Sequence, residues 1–405
     1  MVSDKSFGII DILIILFTFG SVVLDSGDNL LKLIKVLFVI PCFVYVVKTL
    51  KLYFDPYVKW MLSFIIFAGL SFFWAISLAN AAYRYQTLVL NFICIYCLLV
   101  YLKSCPTRIN IILKTLCFAP LILETRVIVS YGLLAFANTR SLDGIMSPNS
   151  IGMRAAIAVV LGTFFLVKQG KPKILYSISF VLNVAIVILS ASRKAIFFMI
   201  VPLLLHYVLC QNNSLKFWRN FTIVLLLIGL TYYGIMNIPF VYDLVGYRIE
   251  TMINGILGLG KTDGSTSLRL KMIKWGFKWF KRKPWFGYGL NNYKSLLGRM
   301  NTSYGREGVY AHNNYVEMLV NLGITGTAIY YFIYLKLFMK AVRARKRLNG
   351  LQQILVCIFG AIVLGEIGMV TYIELYVQII IALTWAVLYL LAEKEVEGDG
   401  SYAVG

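Results

Sequence analysis

The chain has 405 residues, 60% of them hydrophobic and 14% charged, with a formal net charge of +21. A soluble globular domain carries about 25% charged residues, so the composition excludes a soluble fold. Continuous apolar runs of about twenty residues also exclude a β-barrel, whose strands are short and alternate in polarity.

Twelve segments are expected to cross the membrane, near residues 8–24, 30–48, 60–78, 86–102, 111–136, 150–168, 174–190, 194–210, 217–236, 313–336, 351–369 and 372–392. The first holds Asp11 and has no small-residue cleavage site after it, so it reads as a retained helix rather than a signal peptide. The fifth holds Glu124 and Arg126 and is expected to be broken or tilted. Cys94 and Cys97 have CxxC spacing but sit in mid-helix among Phe, Ile and Leu, with no second ligand pair. They read as packing. No cysteine falls in the long polar segment, so no exported disulfide framework is implied.

Charge sets the orientation. With the N-terminus inside, the inner loops hold Lys48, Lys51 and Lys59; Lys103 and Arg108; Lys168, Lys171 and Lys173; Lys216 and Arg219; and Lys336, Lys340, Arg343, Arg345, Lys346 and Arg347. The short outer loops hold Arg84 and Arg140. This asymmetry places both termini in the cytoplasm. The expected division is an N-terminal transmembrane bundle of about nine helices over 1–236, an outer loop over 237–312, transmembrane helices over 313–392, and a disordered cytoplasmic tail over 393–405.

The outer loop breaks the charge pattern. It carries Arg248, Lys261, Arg269, Lys271, Lys274, Lys278, Lys281, Arg282, Lys283, Lys294, Arg299 and Arg306 against Asp243, Glu250, Asp263 and Glu307. Long loops translocate largely regardless of charge, so the topology stands. A long basic loop facing outward suits anions. Within it, STSLRLKMIKWGFKWFKRKP reads as a helix from about Ser267 to Arg282, capped by Thr266 or Ser267 and stopped before Pro284. At 100° per residue, Lys271, Lys274, Lys278, Lys281 and Arg282 share one stripe, bordered by Met272, Trp275 and Trp279 on one side and Leu268 and Phe277 on the other. That is the pattern of an interfacial amphipathic helix. Arg269 departs from the stripe and falls with Met272, Ile273, Gly276 and Phe280. A guanidinium on that face either pairs with a carboxylate, snorkels, or points at a ligand.

Arg193 and Lys194 stand in a tight outer turn after Ser190 and Ser192. They read as an interfacial anchor or, with Arg269, as a grip on a pyrophosphate at a helix N-terminus. His312 is the second residue of the segment AHNNYVEML. Its chemistry allows a structural hydrogen bond, a metal ligand or a general base. The metal is disfavoured, because the only other histidine, His206, lies in the eighth apolar segment.

SASRKA, then SLR with KPWFGYGLNNY, then AHNNYVEMLVNLGITG, in that order, resemble the O-antigen ligase and polysaccharide polymerase superfamily. MSPNSIGM around Asn149 resembles that family's Pro-Asn element. The resemblance covers the C-terminal half and the overall topology. It implies an all-α, GT-C-like membrane glycosyltransferase of the bacterial inner membrane with an extracytoplasmic active site. Such an enzyme moves a glycan from undecaprenyl pyrophosphate to an acceptor sugar hydroxyl, with inversion and without metal or cofactor. It implies pyrophosphate binding by Arg193 and Arg269 and a base at His312, with Asn149, Arg84, Lys194, Asn313 and Glu317 in support. Asn313 reads as a helix-start hydrogen bond or as an orienter of the imidazole or the sugar, and Glu317 as an orienter of the same kind or, the preferred reading, a solvated rim residue. Polymerisation of repeat units is preferred to ligation onto lipid A core. The partners that go with this reading are the lipid-linked donor, a glycan acceptor, anionic bilayer headgroups, a chain-length regulator and a flippase, with no nucleic acid. The rival class is a lipid-glycan flippase, which would place charges at the bilayer midplane in repeated halves; no internal repeat is evident.

Overall fold

Polar caps open many of the helices at the turns between apolar runs. In the computed structural model the described residues are 8–25, 27–49, 52–132, 146–168, 174–190, 192–211, 213–239, 242, 246–247, 250–251, 253–254, 264–300 and 310–390. Lys51, Arg140, Lys171, Lys173, Asp243, Arg248, Lys261, Asp263, Arg306, Glu307 and the tail 393–405 lie outside them.

Every regular element among these residues is helical. The helices are α1 (Ile9–Val23), α2 (Asn29–Thr49), α3 (Pro56–Leu70, tightening to a 3₁₀ turn at Ser71–Trp74), α4 (Leu78–Ser104), α5 (Arg108–Tyr131), α6 (Pro148–Lys168), α7 (Ile174–Leu189), α8 (Arg193–Leu209), α9 (Ser214–Asn237), α10 (Gly264–Phe280), α11 (Tyr293–Gly298), α12 (Asn314–Ala344), α13 (Gly350–Gly365) and α14 (Leu375–Trp385, widening to a π turn at Ala386–Leu390). By length and composition five stretches qualify to cross a membrane: Asn29–Lys48, Pro56–Trp74, Leu78–Ser104, Pro148–Val167 and Asn314–Ala344. The helices Ile9–Val23, Ile174–Leu189, Gly350–Gly365 and Leu375–Leu390 are apolar but shorter. Large apolar side chains such as Phe43, Val129, Val167, Leu175 and Leu215 are exposed on the bundle's exterior. Apolar surface on this scale needs lipid as its solvent. The protein is an α-helical membrane protein.

Caps correct two expected boundaries. Asp55 accepts from the Val58 amide (2.8 Å) with Pro56 at the first helical position, so α3 begins earlier than residue 60. Ser77 accepts from the Asn80 amide (3.3 Å) and starts α4 at Leu78. Arg84 therefore lies in the second turn of α4, not in a loop.

The bundle core joins α6 to α5, α7 and α8, α8 to α13, and α1 to α5, while α12 packs on α3 and α10. Asp11 of α1 and Arg108 of α5 form an ion pair (2.7 Å), and the Arg108 guanidinium is also held by the Tyr101 carbonyl and Ser104.

α12 is broken at Gly323, where φ is 66° and ψ −169°. A left-handed residue cannot continue an α-helix, so amides and carbonyls around it need other partners. The 284–293 segment supplies them. The Ile324 and Thr325 amides donate to the carbonyls of Pro284 (2.8 Å) and Trp285 (3.2 Å). The Tyr288 and Gly289 amides donate to Val320 (3.0 Å) and Asn321 (2.8 Å). A Cβ at residue 323 would collide with the Trp285 carbonyl. The same segment is strapped to the end of α3: Trp74 Nε1 donates to the Phe286 carbonyl (2.9 Å), and Leu290 donates to Ser71 Oγ (3.0 Å).

α10 runs over Gly264–Phe280, starting and ending earlier than the sequence suggests. Its lysines Lys271, Lys274 and Lys278 are exposed as expected. Met272 and Trp279 do not border them at headgroup depth. They are buried with Tyr293, Val316 and Val320, and the Tyr293 hydroxyl donates to the Met272 carbonyl (2.7 Å). Gly276 allows this approach, because a Cβ there would overlap Val316. α10 thus lies against α12 rather than floating beside it.

Candidate active site

Several helix ends come together: the start of α4 with Arg84, the start of α6 with Asn149 and Arg154, the start of α8 with Ser192, Arg193 and Lys194, the first half of α10 with Arg269, the start of α12 with His312 to Glu317, and the start of α14 with Glu374. Helix N-termini dominate this set, and their unsatisfied amides attract anions.

His312 lies at the centre. Its φ is 52°, and besides Asn291 (φ 57°) no other described non-glycine residue has positive φ. A left-handed histidine costs backbone energy that its surroundings must offset. Glu317 fixes the residue before it. The Ala311 amide donates to Glu317 Oε2 (2.7 Å), and Asn321 Nδ2 donates to Oε1 (3.2 Å). Glu317 is 1% exposed. The expectation of a solvated rim residue is therefore wrong: one turn into α12 the carboxylate points inward and takes the loop amide. Asn313 Oδ1 accepts from the Val316 amide (3.0 Å), which is a helix cap.

Asn314 and Glu366 hold the start of α12 to the connection between α13 and α14. The Asn314 amide donates to the Glu366 carbonyl (2.8 Å), its Oδ1 accepts from the Thr371 amide (3.1 Å), and its Nδ2 donates to the Tyr331 hydroxyl (2.9 Å). The Glu366 carboxylate accepts from Tyr331 (2.6 Å), Tyr334 (3.1 Å) and Thr371. Both residues are fully buried.

The imidazole has no such partners. Nδ1 of His312 is buried and without a hydrogen bond among the described residues, and the ring lies 4.4 Å from that of Tyr310, tilted by 48°. Burial, then the positive charges of Arg269 and Lys194, push its pKa down to about 4. The ring is neutral near pH 7 and therefore a proton acceptor.

Arg269, Lys194 and His312 thus share one electrostatic environment. Arg193 is exposed at the first position of α8, whereas Lys194 is half-buried. The α8 start is fixed by Ser192, whose Oγ accepts from the Ala195 amide (3.3 Å) and donates to Asn149 Oδ1 (2.8 Å). Glu374 lies within electrostatic reach of Arg154, Asp25, Arg84 and Lys194.

Sequence reasoning missed Arg154, Tyr310, Tyr372, Glu366 and Glu374. Arg154 offered a signal, a charge inside an apolar run. It is 6% exposed, its Nη1 donates to the Ser150 carbonyl (3.1 Å), and it lies over the Tyr376 ring (5.2 Å). The others lie far from His312 in sequence or look like ordinary helix-end residues.

No curated protein matches the chain. Residues 178–331, which include Arg193, Lys194, Arg269 and His312, match the family model described as O-Antigen ligase.

Proposed function

We propose that the protein transfers a glycan from undecaprenyl pyrophosphate to an acceptor sugar hydroxyl at the outer face of the bacterial inner membrane, and that it polymerises repeat units. The observation that carries this reading is a neutral, left-handed His312 in the field of Arg269 and Lys194, inside the stretch that matches the ligase family. Twelve crossing segments with both termini in the cytoplasm accompany it. The convergence of α4, α6, α8, α12 and α14 at their N-terminal ends fits an alternating topology, which brings those ends to one face; the excess of Lys and Arg in the opposite loops makes that face the outer one.

The chemistry follows from the charges. His312 takes the proton of the acceptor hydroxyl as its oxygen forms a bond to the anomeric carbon, on the face opposite the leaving group. The bond from that carbon to the pyrophosphate oxygen breaks, and its electron pair leaves with the phosphate. Arg269, Lys194 and Arg193 at the α8 N-terminus stabilise the departing charge, so the leaving group needs no acid. The proton then passes from imidazolium to the released pyrophosphate or to water. Arg269 and Lys194 disfavour imidazolium; a bound pyrophosphate offsets them and makes His312 a stronger base when the donor is in place.

The test is purified protein with lipid-linked repeats. Lengthening of the lipid-linked chain supports polymerisation. Transfer to lipid A core alone replaces that reading with ligation, which the description of the matched family favours. Lipid-linked glycan moved across a bilayer without new glycosidic bonds would overturn both.

A further inference from the structure

A small cavity lies against Tyr310, whose ring packs on the His312 imidazole. Its volume is about 30 Å³, and its polar lining is Arg84, Asn291, Tyr310, Glu317, Tyr372 and Glu374. Two contacts tie it to the base. Tyr310 lies against the imidazole at 4.4 Å, and Glu317 holds the amide of Ala311, the residue before His312. The left-handed Asn291 reaches the wall from the 284–293 segment, with its Nδ2 on the Asn80 carbonyl (3.0 Å). Four separate parts of the chain therefore meet here: the start of α4, that segment, the start of α12 and the connection into α14.

The lining selects what fits. About 10–15 Å³ of such space admits one water, so a volume of about 30 Å³ takes one or two water-sized groups and is too small for a pyrophosphate or a sugar ring. Two carboxylates repel an anion, and a guanidinium beside them opposes a metal ion. One hydroxyl group suits the walls: it donates to a carboxylate and accepts from a guanidinium or phenol. Arg84 Nε is buried with no hydrogen-bond partner among the described residues. A buried donor of this kind calls for an acceptor.

We propose that this cavity takes a hydroxyl of the acceptor sugar next to the one His312 deprotonates, and so selects the acceptor by the configuration of that neighbouring carbon. The proposal rests on the transferase reading above and adds the recognition of a neutral, hydroxyl-bearing sugar. The pyrophosphate cations and the cavity divide the work: Arg269 and Lys194 read the donor, whereas Arg84 and Glu374 read the acceptor.

The test uses the full chain in nanodiscs, lipid-linked oligosaccharide as donor, and octyl glucoside, galactoside and mannoside with their monodeoxy derivatives as acceptors. In the wild type, one deoxy position is expected to lower kcat/KM by about 10- to 100-fold, the range for a hydrogen bond to a charged group. In Glu374→Gln and in the milder Arg84→Lys, that deoxy compound is expected to approach its parent, while donor binding stays within about twofold. Saturation-transfer NMR on His312→Ala gives a readout without turnover: the protons beside the selected hydroxyl receive the strongest transfer, and Glu374→Gln removes it. Equal discrimination in wild type and both variants, or no transfer that they alter, means the cavity holds water only and overturns the proposal. Loss of the transferase reading is separate: it is marked by the absence of any glycosidic product in the wild type.

Discussion

Two polar clusters meet at the start of α12, and they are opposites. Around Asn314 and Glu366 the buried groups are saturated: an amide side chain and a carboxylate accept from or donate to Tyr331, Tyr334, Thr371 and the backbone. Around His312 nitrogens are left open, with Nδ1 of His312 and Nε of Arg84 buried and unpartnered among the described residues. A saturated network in a low-dielectric interior fixes one geometry. An open one is costly unless a ligand completes it. The saturated cluster holds the frame, and the open cluster is where the proposed substrates would complete the hydrogen bonding.

The sharpest way to break this comparison is at the base. His312→Ala is expected to lower glycan transfer by about 10²- to 10⁴-fold, the usual worth of a general base. Thermal unfolding in detergent is expected to stay near that of the wild type, since the imidazole's Nδ1 has no hydrogen-bond partner to lose among the described residues. A fall in melting temperature matching the activity loss would place His312 with the saturated cluster.

The second prediction reverses the readouts. Glu366→Ala leaves the hydroxyls of Tyr331, Tyr334 and Thr371 without their shared acceptor. A buried unsatisfied group costs about 1–3 kcal/mol, so the thermal midpoint is expected to drop clearly. Donor binding, measured on protein still folded, is expected to remain. An unchanged midpoint would remove Glu366 from the frame.

The third uses pH. The free-site imidazole titrates at about 4 because burial, Arg269 and Lys194 disfavour its charge. kcat/KM is then expected to stay level down to nearly pH 5 and to fall as pH drops toward 4. Under the proposed function a donor pyrophosphate would offset both cations, so the acid limb of kcat is expected at higher pH. Arg269→Gln is expected to raise the kcat/KM limb as well, because one cation beside the ring is gone. The stability sign is consistent: an unfolded histidine takes a proton near its ordinary pKa of about 6.5, while the folded one resists until about 4. Stability associated with His312 is present above the unfolded pKa and is lost as pH falls between these values. Coincident limbs for kcat and kcat/KM would rule out tuning by the donor.

The smallest effect is expected at the helix cap. Asn313→Ala removes the acceptor for the Val316 amide and is expected to cost about 1 kcal/mol, read as a small shift in unfolding with transfer reduced only modestly. A loss of transfer as large as that of His312→Ala would mean that Asn313 orients the imidazole after all.

Much of this molecule was legible in one dimension. Apolar run length dictates helices in lipid, because a chain without water must satisfy its backbone internally, and each expected segment overlaps a helix. Helical phase separated Arg269 from its lysine neighbours, and the α10 face that carries Met272 and Gly276 does pack on α12. The AHNNY segment marked His312 because a histidine at the mouth of an apolar run is rare in so oily a chain. Tertiary structure alone decided the rest. Sequence spacing carries no information on which side chain of a turn faces inward, so the half-burial of Lys194 beside the exposed Arg193 appears only when α8 is packed. Glu317 looked like a solvated rim residue until the break in α12, the loop amide of Ala311 and Asn321 enclosed it. Glu366 and Glu374 sit more than forty residues beyond His312, and only the return of α13 and the start of α14 bring them to it. Local patterns follow from backbone and solvent; the site depends on long-range closure, which places charges together that no local pattern relates.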